Sequence, residues 1–163
     1  MRSLILVAAL SFLSWAPACL ASGAGGETLP NQAKVRRVID GDTVELADGR
    51  LVRYIGVDTP EVRRRTGDRW VADPEPFGHE ATEANAELVG NQTVRLEYDV
   101  QTRDRFGRLL AYVYVGEVMV NEALLRAGFA QPLTIPPNVK YAERFRAIAE
   151  EARMARRGLW DGL

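Results

Sequence analysis

The amino-acid sequence predicts one α+β domain, mainly β, in which five short strands close into a small barrel and about three helices pack against it. Three observations carry that reading. Short segments rich in branched residues recur between turn signals, Asp48-Gly49 marks a tight hairpin between two of them, and stretches with helical apolar spacing lie between and after the strands. With 163 residues, 47% of them hydrophobic and 26% charged, the chain has enough apolar material for one core.

At the N-terminus, Arg2 precedes an almost uncharged run from Leu4 to Leu20, and the small residues Ala16, Ala18, Ala21 and Ser22 close it. This is the pattern of a secretory signal peptide, assigned to residues 1–21 and excluded from the fold. The run is short for a spanning helix, so removal is expected rather than retention as an anchor, and with it a secreted or periplasmic protein. Cys19 is the sole cysteine. It offers lipid anchoring as the minority alternative, although Ala16-Pro17-Ala18 matches such a site poorly, and it leaves the mature domain without an internal disulfide. Residues 22–33 are glycine-rich and aperiodic, a flexible leader, and the domain occupies 34–163.

Val35 to Ile39, Thr43 to Ala47 and Leu51 to Val57 give three consecutive strands. Residues 61–77, with four arginines and no sustained period, are expected to form a long exposed loop. Ala81, Ala84, Leu88 and Val89 set a helix over 78–89, stopped by Gly90. Thr93 to Tyr98 and Leu109 to Val115 alternate as strands four and five. Asn121 is expected to cap a short helix ending at Gly128, and Asn138 to begin a longer one ending at Gly158, with Tyr141, Phe145, Ile148, Ala152 and Ala155 along its apolar stripe. Among small closed barrels, the oligonucleotide-binding (OB) type fits this order.

The formal net charge is −1 and the isoelectric point about 5.9, which speaks mildly against a nucleic-acid binder, since phosphate binding normally recruits a basic surface. Arg63, Arg64, Arg65 and Arg69 are either a solvated charge run or a local positive field that the net charge hides.

Two acidic stretches carry the candidate chemistry. Asp40-Gly41-Asp42-Thr43 taken alone is a turn, and an EF-hand is excluded because Val44, Glu45 and Leu51 stand where that loop needs an oxygen ligand, a glycine and a bidentate acid. Asp58-Thr59-Pro60-Glu61 taken alone is equally a turn or cap. The Asp48-Gly49 hairpin links them, bringing residues near 42 opposite residues near 55 and Asp42 toward Asp58 at the open end. Converging carboxylates repel unless a cation intervenes, and hard oxygen donors suit calcium or magnesium. Arg53 shares the strand that ends at Asp58, and Arg108 closes Asp104-Arg105-Phe106-Gly107-Arg108; together they could clamp a phosphate. Each arginine without the acids would be a surface or salt-bridge residue. His79, at a helix start, has a structural or surface role.

From about Ala33 to Trp160 the chain resembles the staphylococcal nuclease, or thermonuclease, family. The matching stretches are Val38-Ile39-Asp40-Gly41-Asp42-Thr43; Arg53 with Val57-Asp58-Thr59-Pro60-Glu61; Asp104-Arg105-Phe106-Gly107-Arg108-Leu109-Leu110-Ala111-Tyr112; Met119-Val120-Asn121-Glu122-Ala123-Leu124-Leu125; and Gly158-Leu159-Trp160. The resemblance implies a five-stranded barrel with three helices and a calcium ion (Ca2+) held by Asp42, Asp58 and the backbone carbonyl of Thr59. It implies Glu61 as general base or water-positioning group and Arg53 and Arg108 as phosphate-binding, transition-state-stabilising residues, in an endonuclease cutting DNA and RNA to leave 3′-phosphates. No stable protein partner is implied, and a monomer is expected. A non-catalytic binding module on the same barrel is the alternative function. The family's best-known member has nucleotide-contacting tyrosines where this chain has Pro132-Leu133-Thr134-Ile135-Pro136-Pro137; Tyr141 or Trp70 are the candidates to replace them.

Overall fold

A computed structural model describes residues 28–67, 69–73 and 75–161, without the side chains of Arg63, Arg64, Arg65 and Trp70. The signal-peptide run, Cys19 and residues 22–27 of the leader lie outside the described residues.

The chain runs β1 (Gln32–Asp40), β2 (Thr43–Leu46), β3 (Leu51–Tyr54), β4 (Val57–Asp58), β5 (Arg63–Thr66), β6 (Arg69–Ala72), α1 (Gly78–Val89), β7 (Thr93–Glu97), β8 (Leu109–Val115), β9 (Val118–Met119), α2 (Val120–Ala127), β10 (Gln131–Pro132) and α3 (Ala142–Met154), then a 3-10 turn at Gly158–Trp160. Strand order β3-β2-β1-β7-β8-β9 is antiparallel except that β3 also pairs parallel with β8, Arg53 beside Leu110, which closes β1, β2, β3, β7 and β8 into the expected five-stranded barrel. The ordered chain reaches back past Ala33: the Pro30 carbonyl accepts the Tyr98 hydroxyl at 2.9 Å and Leu29 packs against the core.

Burial of branched side chains fills the barrel. Val44, Leu46, Val52, Leu109, Ala111 and Val113 are fully enclosed, each valine or leucine contributing roughly 1.5–3 kcal/mol. Register shifts in β1 leave both Arg36 and Arg37 outside, where they share Glu45 at 2.6 and 2.5 Å. Helix α1 buries Gly78, Ala81, Asn85 and Val89, one stripe at helical spacing. Helix α3 lays Phe145, Ile148, Ala149 and Ala152 inward against α2.

Several local expectations need correction. The third strand does not run unbroken to Val57: Gly56, at φ +81°, turns the chain after Tyr54 and lies so close to Phe145 that a Cβ there would meet its ring at 2.6 Å. Residues 61–77 are not one loop, because β5 and β6 pair as a hairpin from Arg63 opposite Ala72 to Thr66 opposite Arg69. Asn121 is not a cap. It lies inside α2, wholly buried, accepting from Val113 N–H at 2.9 Å and donating to the Ile55 carbonyl at 2.8 Å, so it stitches helix, strand and turn together. Asn138 likewise caps nothing; it bonds both backbone groups of Gln101, and α3 starts at Ala142 and ends at Met154.

Candidate active site

The tight turn at Asp48-Gly49 sets Thr43 opposite Arg53, and the Tyr54 N–H donates to the Asp42 carbonyl at 2.9 Å. Asp42 is 3% exposed. Its carboxylate accepts from Thr59 N–H at 3.1 Å and the Thr43 hydroxyl at 3.1 Å, and pairs with Arg53 Nη1. Arg53 Nη2 donates to Asp58 Oδ1 at 2.6 Å, so one guanidinium bridges the two acids. Such a bridge supplies the counter-charge that two converging carboxylates need. Asp58 itself is exposed, Thr59 buried.

Asp40, which sequence reasoning passed over in favour of Asp42, belongs to this group. Its Oδ1 accepts from Asp42 N–H at 3.2 Å. Burial pushes its carboxyl above the usual range, against the pull of Arg53, the Thr43 hydrogen bond and Arg108. Burial in turn lowers Arg53, opposed by Asp58 and Asp40. Arg108 enters from β8's leading edge, its Nε on Asp104 Oδ2 at 2.7 Å. The Asp104 carboxylate also accepts from Phe106 and Arg108 N–H, both at 2.9 Å, so it shapes the turn that presents Arg108. Arg53 and Arg108 line one cleft of about 480 Å³, with Phe106, Leu133 and Ile135 among its apolar walls.

Glu61 sits just beyond Asp58. The residue is exposed as a whole, yet desolvation of its carboxyl is the largest influence raising its pKa; Asp40, Asp58 and Glu75 add to it, and Arg53 opposes. The backbone around Glu61 is held firmly: its N–H donates to the Glu75 carboxylate at 3.1 Å and its carbonyl accepts from Glu75 N–H at 2.8 Å.

Helix α1 braces both acidic stretches, a role with only a faint signal in the sequence. A Cβ at Gly78 would lie 2.9 Å from the Glu61 carbonyl, and one at Gly41 would lie 2.9 Å from Ala81 Cβ and 2.6 Å from Thr59 Oγ1. One turn further on, Asn85 donates to the Asp40 carbonyl at 2.9 Å and accepts from the buried Tyr54 hydroxyl at 2.9 Å. The signal was an asparagine four residues after Ala81 on an otherwise apolar stripe.

The donor set suits a hard divalent cation. Asp42 and Asp58 offer carboxylate oxygens and Thr59 a backbone carbonyl, hard donors of the kind such an ion takes, although Arg53 spans the two acids in this structure. Among the described residues no three His, Cys, Asp or Glu side chains form a metal-binding group, so backbone oxygen and water must complete any such site.

Other candidates separate. His79 is exposed on the first turn of α1. Tyr141 is a packing residue, edge-on to Tyr112 at 4.7 Å, stacked with Phe145 at 6.0 Å and bonded through its hydroxyl to Glu97 at 2.8 Å. Trp70 lies on β6, its side chain outside the description.

A five-stranded barrel that presents carboxylates and two arginines beside a cleft defines a class of protein equipped to handle phosphodiesters. Residues 51–162 match the family described as Staphylococcal nuclease homologue, and the chain belongs to that family. It is 42% identical over 131 residues to a protein named Thermonuclease from Staphylococcus hyicus, covering 78% of this chain and 75% of that one. It is 40% identical over 130 residues to Endonuclease YncB of Bacillus subtilis, covering 77% and 59%, and 34% identical over 135 residues to a protein named Uncharacterized endonuclease from Escherichia coli, covering 78% and 76%.

Proposed function

We propose that this protein is a calcium-dependent endonuclease that hydrolyses phosphodiester bonds of DNA, RNA or both, leaving 3′-phosphate and 5′-hydroxyl ends. The observation that carries the proposal is the Asp42–Arg53–Asp58 bridge, whose Arg53 lines one cleft together with Arg108 and whose acids lie close enough to Glu61 to act on its carboxyl. The relatives named thermonuclease and endonuclease support the same reading.

Asp42, Asp58 and the Thr59 carbonyl would hold calcium, which would neutralise phosphate charge and polarise phosphorus. Arg53 and Arg108 grip the non-bridging oxygens, planar donors matched to the extra charge of the pentacovalent state. Glu61 orients a water and takes its proton as the oxygen attacks phosphorus. Its raised pKa makes it a better base than an ordinary carboxylate. The bond to the 5′ oxygen then breaks, and that oxygen takes up a proton from solvent water as it leaves. Leu133 and Ile135 offer apolar contact to a base in the cleft, and the exposed Phe106 beside them is its aromatic surface. The protein acts outside the cytoplasm, secreted or periplasmic, a reading supported by the signal-like run at residues 1–21.

The test is digestion of single-stranded DNA with calcium, with chelator, and with Glu61→Gln and Arg108→Ala. Loss of cutting with chelator, and at least a ~100-fold drop in kcat for each variant, is the expected result. Binding of DNA that stays intact under every condition would make the protein a binding module instead.

A further inference from the structure

Asn85 is the polar member of the buried face of α1, whose other inward residues are Gly78, Ala81 and Val89. It is fully enclosed, and both ends of its amide are engaged: Nδ2 donates to the Asp40 carbonyl at 2.9 Å, and Oδ1 accepts from the Tyr54 hydroxyl at 2.9 Å. Tyr54 is itself 2% exposed. Taking an amide and a phenol out of water is costly, and two apolar side chains of the same shape would serve packing as well. The pair is therefore explained by what it holds in place.

What it holds is the turn that carries Asp42. Asp40 pairs with Thr43 across β1 and β2, so Gly41 and Asp42 form the tip between them, just after a register shift in β1 between Val38 and Asp40. Within the tip the Asp40 carboxylate accepts the Asp42 N–H at 3.2 Å, a local bond that fixes the shape of the turn and not its place. Asn85 supplies the place by fastening the first residue of the turn to α1.

The other end of the amide reaches β3. Tyr54 follows Arg53, whose guanidinium bridges Asp42 and Asp58, and the Tyr54 N–H donates to the Asp42 carbonyl at 2.9 Å. One side chain of α1 thus sets the spacing between the turn that bears Asp42 and the strand that leads to Asp58. A divalent cation needs its donors within about 0.2 Å of their ideal distances. Groups that orient such donors without touching the ion typically carry roughly 10–100-fold in affinity.

We infer that Asn85, with Tyr54 as its partner, is a positioning residue for the divalent cation: it holds the Asp40-Gly41-Asp42 turn against β3 so that Asp42 and Asp58 can share one ion. The inference rests on the calcium-dependent nuclease reading for the identity of that ion, and the experiment separates the two.

Calcium binding is measured by equilibrium dialysis on the protein alone, with no nucleic acid, beside urea unfolding of the calcium-free protein. Asn85→Leu keeps the volume and removes both hydrogen bonds, leaving the Tyr54 hydroxyl buried without its partner. Asn85→Leu/Tyr54→Phe removes that hydroxyl too, so part of the lost stability returns while the Asp40 carbonyl still has no tie to α1. Ile148→Ala, in the buried face of α3, is the control that loses stability away from the turn. Both Asn85 variants are expected to bind calcium at least about 10-fold more weakly than wild type, the double variant no better than the single one despite its regained stability. Tyr54→Phe alone, which keeps the bond to Asp40, loses less, and Ile148→Ala binds as wild type does. If Asn85→Leu does not fold, the double variant carries the comparison.

Wild-type calcium affinity in the Asn85 variants, affinity that returns in step with stability, an equal loss in Ile148→Ala, or a wild type that binds no calcium would overturn the inference. If wild type cuts DNA with calcium and all variants bind the ion alike, the positioning role alone fails. If no protein cuts DNA but the affinities fall as stated, the nuclease reading alone fails.

Discussion

Gly41→Ala tests the architecture of the acidic loop most directly. The added methyl would stand 2.6 Å from Thr59 Oγ1, 2.7 Å from Thr59 Cβ and 2.9 Å from Ala81 Cβ, all inside contact distance. Because Ala81 is on α1 and Thr59 follows β4, relief requires the loop, the helix or Thr59 to move. Overpacking of this kind costs roughly 1–3 kcal/mol. Moving Thr59 also strains its N–H bond to the Asp42 carboxylate, 3.1 Å long, worth about another 1 kcal/mol. The total, about 3 kcal/mol, lowers the urea midpoint by roughly 1–3 M. The proposed calcium site supplies the second readout. At about 100 times its Kd it stabilises wild type by about 2.7 kcal/mol, and a tenfold weaker site yields about 1.4 kcal/mol less. Gly49→Ala is the control: nothing lies within 4 Å of its Cβ, but φ is +86°, so it costs about 1 kcal/mol through the backbone while the calcium increment stays whole. A Gly41→Ala protein that unfolds at the wild-type urea concentration, with the wild-type calcium increment, would refute the reasoning.

Asn85→Ala strips the partner from the buried Tyr54 hydroxyl and the Asp40 carbonyl, and a loss of about 2–4 kcal/mol in denaturant unfolding is expected, with Tyr54→Phe losing about half as much. Glu97 gives a pH-dependent case: burial alone raises its carboxyl, but hydrogen bonds from Lys140, Tyr141 and Tyr114 outweigh that and hold it below 4.5. A depressed carboxylate stabilises above its unfolded pKa and loses that contribution as pH falls through the folded value. The stability gap between wild type and Glu97→Gln is therefore about 1 kcal/mol at neutral pH and closes on acidification below 4.5, followed by urea unfolding across pH. Replacing calcium with magnesium slows cutting, because magnesium demands tighter octahedral geometry and holds its waters; equal rates in a digestion assay would contradict this.

Local order was legible where one physical rule governs. The helix expected over 78–89 is Gly78–Val89, and the strand Leu109–Val115 has the expected limits, because apolar period alone sets both. The approach of Asp42 to Asp58 was legible in the Asp48-Gly49 turn signal, although the loop holds three residues, Ala47 to Gly49, rather than two, with Leu46 bonded to Arg50 and Thr43 opposite Arg53. Asn121 and Asn138 were misassigned because asparagine before a helix serves a cap and a tertiary bridge equally well, and only the positions of Ile55, Val113 and Gln101 decide. The β5–β6 hairpin escaped notice because four arginines mask any alternation. Arg108 could be placed only through the family resemblance: its nearness to Arg53 depends on the β3–β8 pairing, which no local pattern announces.

That seam has a consequence for when the protein becomes competent. Asp42, Arg53 and Asp58 belong to one 17-residue stretch organised by a hairpin, and such local contacts form early and cheaply. Arg108 joins them only when Val52 to Tyr54 meets Leu109 to Ala111, contacts 57 residues apart in the chain and among the entropically slower to close. A half-folded chain thus carries the acidic half of the site without the second guanidinium. Completion of the barrel and completion of the proposed phosphate clamp are the same event, so an unfinished molecule is an unarmed one.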